Sequence, residues 1–141
     1  MFDLETIILV SAIIITWALW GFLYKVGLNE MGLWPAYLLG LVVWLVANIS
    51  FIAAMLIKGV PLTFGTTGSY AIIGGAVASF IGTFLFYVLL NKAPVSIAVP
   101  LTAVYPALTA ILGILILSEE IKIINALGIV FAIIAAVLLS L

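Results

Sequence analysis

Nine charged residues divide this chain into five long uncharged runs, 6–24, 31–57, 59–91, 93–118 and 123–141. No other feature restricts the fold as much. A helix that crosses the hydrocarbon layer needs about 20 mostly apolar residues. In lipid, every backbone N–H and C=O must also be paired inside the protein, which favours helices. The third run is too long for one helix. Its first part, GVPLTFGTTGS over 59–69, is rich in Gly, Thr and Pro and reads as a loop. The pattern therefore predicts five transmembrane helices, near 5–27, 33–57, 69–90, 94–117 and 121–140. The connections are too short to hold a soluble domain, so the whole of 1–141 is expected to form one domain working in the bilayer.

Composition excludes several function classes. With 68% hydrophobic and 6% charged residues and a mean hydropathy of +1.56, the chain lacks the charge to cover a water-soluble surface. A net charge of −1 leaves no footprint for nucleic acid. The absence of Cys and His removes disulfides, thiol chemistry and the usual zinc and haem ligands, so no metal or cofactor is expected. No nucleophile–base set suggests an enzyme. The opening MFDLETIILV carries Asp3 and Glu5 where a cleaved leader has positive charge, which predicts a first span that is retained.

The lysines bear on orientation. Lys58 and Lys122 fall in connections on the side of the N-terminus, and Lys25 and Lys92 in connections on the other side. Two against two gives the positive-inside rule nothing to act on. A small protein with short loops reaches such a balance by chance. Insertion of copies in both directions, with antiparallel pairing, also produces it. Small residues mark possible packing faces. Gly74, Ala78 and Gly82, with Gly75, Ser79 and Thr83 beside them, line the third span; Gly128, Ala132, Ala136 and Ser140 line the fifth. Such rows let helix backbones approach closely in lipid. They suggest an interior contact for the third span and a dimer seam for the fifth.

Trp34 and Lys58 sit at span ends, where an interfacial belt and snorkelling explain them. Trp17 and Trp44 fall near span centres, and Trp17, Trp20 and Tyr24 share one helix face. Such a stripe serves packing or the wall of a binding cavity. Thr16, Asn48, Thr102, Tyr105 and Thr109 place polar groups at depth, where they need partners or water. No carboxylate lies at mid-membrane, so a proton relay through a buried acid has little to work with. The fourth span is the unusual one. Pro94 suits its first turn, whereas Pro100 and Pro106 are interior and free the carbonyls of Ser96 and Thr102. Interrupted helices at mid-depth are frequent sites of substrate binding in transporters. A structural kink accounts for the prolines alone; together with the mid-membrane aromatics they point to a cavity.

From Phe86 the chain reads FYVLLNKAPVSIAVPLTAVYPALTAILGILILSEEIKIINALGIVFAIIAAVLL. This segment resembles the C-terminal part of an EamA-type domain of the drug/metabolite transporter superfamily. The likeness rests on Tyr87, Lys92-x-Pro94, Ser96, Pro100 and Pro106, on Glu119 between the fourth and fifth spans, and on Gly128. The run WALWGFLYK, Trp17 to Lys25, resembles the family's Trp-Gly and Lys pattern in its first helix. Glu120 departs from the pattern, since a basic or other residue often follows the family's Glu.

The resemblance implies an all-α integral membrane fold, one half of a ten-helix inverted-repeat architecture that works by alternating access. A five-helix chain standing alone would need a second copy inserted the other way, an antiparallel homodimer of dual topology, or a different five-helix subunit. The small multidrug resistance family is a four-helix relative marked by a carboxylate inside its first helix, and this chain has none there after Glu5. The expected function is transport of small organic solutes, amino acids or amphiphilic metabolites, across a prokaryotic plasma membrane. Trp17, Trp20, Tyr24, Trp44, Tyr87, Thr102 and Tyr105 are expected to line the path between the first, third and fourth spans, with the second contributing. Pro100 and Pro106 would break the helix, and Lys25, Glu119 and Gly128 would be structural or interfacial. Beyond membrane lipids, substrate and a second subunit, no partner is implied. Two other functions remain open: a non-transporting subunit that supports a partner, and flipping of lipids or lipid-linked substrates.

Overall fold

The computed structural model describes residues 3–140, with the side chain of Ser140 outside the described part, and the described residues contain no strand. Six helices follow in order: α1 Leu4–Met31, α2 Leu33–Ile57, α3 Thr66–Lys92, α4 Val95–Thr102, α5 Tyr105–Leu117 and α6 Ile123–Ser140. Four segments are long and apolar enough to cross a membrane: α1, α2, α3, and α4 with α5 taken together as Val95–Leu117. The fifth expected span, α6, is a shorter apolar helix. Its 18 residues reach about 27 Å at about 1.5 Å per residue.

Local chemistry sets the helix ends. Asp3 caps α1, its carboxylate accepting a hydrogen bond from the Thr6 N–H at 2.9 Å. The bonds from Thr6, led by its side chain, hold the Asp3 carboxyl below its ordinary value of 3.8. Gly32 alone joins α1 to α2, with φ at +76°, a backbone region that suits glycine. Helix α1 therefore continues to Met31, one turn past the expected end. Lys25 lies inside α1, and Lys92 is the last residue of α3, rather than in the connections between helices. The loop expected over 59–69 stops at Gly65, because α3 starts at Thr66.

The chain packs as two compact units divided after Lys92. In the first, α1, α2 and α3 pack against one another. Its buried residues are Gly21, Leu28, Ala36, Tyr87 and Leu90. All lie toward the end where α1 meets α2 and where α3 finishes. Along α3 the glycines Gly74, Gly75 and Gly82 face open space, with nothing within 4 Å of a Cβ placed on any of them. Among the described residues these three glycines do not make the interior contact expected for the row.

In the second unit α6 packs on α4 and on α5. Its buried positions are Ala98, Ala107, Gly113 and Ala136, all small. Without a hydrophobic driving force between helices in lipid, close van der Waals approach over such residues holds the helices together. The row on α6 is split. Ala136 is buried within the unit, whereas Gly128 and Ala132 face outward.

Candidate functional site

The first unit is organised around an aromatic stack that draws on all three helices. Trp20 and Tyr24 of α1 lie 5.2 Å apart between ring centroids. Trp20 stacks on Phe86 of α3 at 5.2 Å, and Tyr24 meets Tyr87 edge-on at 4.7 Å. Tyr37 of α2 meets Tyr87 at 5.1 Å and Phe84 at 5.2 Å, both edge-on. Offset and edge-to-face pairs of this kind are favoured by the ring quadrupole. Tyr87 sits at the centre of the stack and is 2% exposed.

Gly40 makes this arrangement possible. A Cβ at that position would lie 2.6 Å from the Tyr87 hydroxyl oxygen and 2.9 Å from that of Tyr24. Both rings therefore reach across the bare backbone of α2. Beside them a groove of about 260 Å³ runs between α1 and α2, lined by Leu23, Tyr24, Gly27, Met31, Ala36, Leu39, Gly40 and Val43. One further contact ties α1 to α3. The Lys25 ammonium donates to the Leu90 carbonyl at 2.5 Å. In a continuing helix that carbonyl would accept from residue 94, but residue 94 is proline and has no N–H. The lysine supplies the missing donor at the negative end of the α3 dipole.

In the second unit the helix break lies at Ala103–Val104, between α4 and α5. Pro100 is inside α4, as expected. Pro106 is not interior: it stands in the first turn of α5, where a missing N–H does no harm. The Thr102 hydroxyl turns back onto the carbonyls of Ala98 and Val99, at 3.1 and 2.9 Å. Thr109 does the same to Tyr105 at 3.1 Å. In the first unit Thr16 and Asn48 likewise bond carbonyls of their own helices. The polar groups at depth are thus largely satisfied locally.

A groove of about 510 Å³ follows one face of α5, lined by Pro106, Thr109, Ala110, Leu112, Gly113, Ile116, Leu117 and Glu119. Ser118 ends α5 in the left-handed conformation, φ +57°, and the Glu119 N–H closes on the Gly113 carbonyl at 3.2 Å. This turn folds the Glu119 carboxylate back over Gly113, with one oxygen 2.7 Å from where a Cβ would sit.

Of the residues expected to line a path, Trp20, Tyr24 and Tyr87 come together in the first unit. Trp17 and Trp44 point outward, 61% and 68% exposed, and stand outside the ring stack. Thr102 and Tyr105 belong to the second unit, with Tyr105 exposed. Sequence reasoning missed Tyr37, Phe84, Phe86 and Gly40. An isolated glycine inside a helix is a signal of close approach, and Gly40 is one. The three aromatics gave no sign beyond general apolarity. Among the described residues no group of three His, Cys, Asp or Glu could hold a metal.

No solved structure matches the chain. An uncharacterized protein of Methanocaldococcus jannaschii is 41% identical over 102 residues, covering 69% of this chain and 74% of that protein. Residues 4–141 match the EamA-like transporter family. With that match running through both packing units and all six helices, the chain is an integral, multi-pass membrane protein that belongs to the EamA-like transporter family.

Proposed function

We propose that this protein carries small organic solutes, amino acids or amphiphilic metabolites, across the membrane by alternating access. The reading rests on the family match over residues 4–141. The chain then works as two five-helix units of opposite orientation, an antiparallel homodimer in which α6 is the fifth span. Three features support this. Five spans put the chain ends on opposite faces, so a second copy gives the inverted arrangement when it inserts the other way. The four lysines are balanced and impose no single orientation. Most large apolar side chains stay uncovered within one chain, as expected of half an assembly.

Trp20 and Tyr24, backed by the buried Tyr87, offer an aromatic wall suited to apolar or aromatic parts of a solute. Purified protein in proteoliposomes should give saturable uptake of labelled amino acids or amphiphilic metabolites above that of protein-free vesicles. Trp20→Ala should lower the flux. Flux equal to empty vesicles would contradict the reading. Dependence on a co-purified second protein would replace the homodimer with a heteromeric pair.

A further inference from the structure

The groove along α5 is apolar except where Glu119 closes it. Glu119 is exposed, yet its side chain folds back along α5 instead of extending away from the helix. Its carboxylate sits over Gly113, four residues before the end of α5, about 6 Å back along the helix at about 1.5 Å per residue. Among the described residues it accepts no hydrogen bond and has no ion-pair partner. Lys122, the nearest cation in sequence, does not pair with it.

We propose that this groove binds an organic cation with an ammonium head and an apolar body. Two sources of negative potential converge on one place. One is the Glu119 carboxylate. The other is the C-terminal end of α5, whose last carbonyls lack intrahelical donors and carry the negative end of the helix dipole. A carboxylate at that end is disfavoured unless a cation joins it, and an ammonium is attracted by both. The rest of the wall offers no donor to an anion. Pro106, Ala110, Ile116 and Leu117 are apolar, and the Thr109 hydroxyl is engaged with the Tyr105 carbonyl. Anionic ligands are thereby rejected. A volume of about 510 Å³ suits a small amphiphile. The bare backbone at Gly113 leaves room for the carboxylate to lie on the helix, and a Cβ there would push it aside.

The site deepens the transport reading by naming a ligand class, and it rests on that reading only for its role in flux. Binding is measured separately, so intact binding without flux would sink transport and leave the site standing. The ammonium can belong to a dissolved amine or to a phosphatidylethanolamine head group. The test titrates n-octylammonium into the full-length protein in lipid-free nonionic detergent, followed by calorimetry. Wild type should bind saturably. Glu119→Gln, which keeps shape and removes charge, should weaken binding about tenfold or more, equivalent to about 1.4 kcal/mol. Glu120→Gln should stay within about twofold, since only the Glu119 carboxylate faces the groove. Unchanged helical circular dichroism in Glu119→Gln confirms that the fold is kept. Competition by phosphatidylethanolamine but not phosphatidylglycerol in nanodiscs identifies the lipid head group as the source. Absence of competition identifies a dissolved amine. No saturable binding, or equal binding by Glu119→Gln, would overturn the proposal.

Discussion

Gly40→Ala adds one methyl group at the place where two tyrosines cross α2. The new Cβ would lie 2.6 Å from the Tyr87 hydroxyl oxygen, 2.9 Å from that of Tyr24 and 3.2 Å from a Tyr24 ring carbon. All three distances are below ordinary van der Waals contact. Tyr24 is only half-buried and can yield, but Tyr87 is enclosed by Tyr24 and Tyr37 and has nowhere to go. Overpacking of this kind costs about 1–3 kcal/mol. Replacing a mid-helix glycine by alanine returns about 0.5–1 kcal/mol through propensity. The net expectation is a loss of about 1–2 kcal/mol, read as a shift in the midpoint of SDS-induced helix loss in mixed micelles. The hydroxyl oxygens make the closest contacts, so Gly40→Ala should cost much less in a Tyr24→Phe/Tyr87→Phe background. Gly74→Ala and Gly82→Ala, which meet nothing within 4 Å, serve as controls and should not destabilise. A neutral Gly40→Ala, or an equal cost in both backgrounds, would refute the close approach as the reason for glycine.

Lys25→Met should destabilise the first unit by about 1.5–3 kcal/mol, the range for a hydrogen bond to a charged donor, because it orphans the Leu90 carbonyl that Pro94 cannot serve. The same unfolding assay reads this, and Lys25→Arg should recover part of the loss. Ser118→Gly should stabilise the end of α5 by about 1 kcal/mol by removing the left-handed penalty on a residue with a Cβ, measured as a rise in thermal midpoint. The Asp3 carboxyl titrates lower in the folded protein than in the unfolded chain, so its cap is fully present above 3.8 and is lost as pH falls through the depressed folded value. Hydrogen exchange at the Thr6 amide should accelerate in that acid range. In Asp3→Asn, which keeps a cap oxygen without the titration, that pH dependence should vanish.

The rough placement of four spans was legible because lipid forces the backbone to pair within apolar helices. Charge spacing, with the Gly-, Thr- and Pro-rich stretch after Lys58, therefore located α1, α2, α3 and the Val95–Leu117 segment. Ends were less legible, since capping depends on backbone conformation. Gly32 at positive φ carries α1 past Lys25, and that moved this lysine from a connection to a position facing Leu90. The prolines announced a break, but Pro106 begins a helix instead of interrupting one. Trp20, Tyr24 and Tyr87 were recognisable as aromatics at depth. Their assembly with Tyr37, Phe84 and Phe86 was not, because it depends on how three helices rotate about their axes, which hydropathy does not encode. Trp17 and Trp44, exposed within the single chain, stand outside that stack. The Glu119 groove escaped notice because its shape comes from one left-handed residue, Ser118, that turns the side chain back along α5.

The most direct test of the paired, oppositely inserted assembly is labelling of single cysteines. With no native Cys in the chain, Leu62→Cys in the connection after α2 and Asn91→Cys near the end of α3 each supply a unique thiol. The two sites lie on opposite sides of any one copy. A membrane-impermeant maleimide applied from one side of intact cells should label each variant to about half of the total seen after permeabilisation, as insertion in both directions requires. Full labelling of one variant and none of the other would establish a single orientation and contradict the antiparallel homodimer.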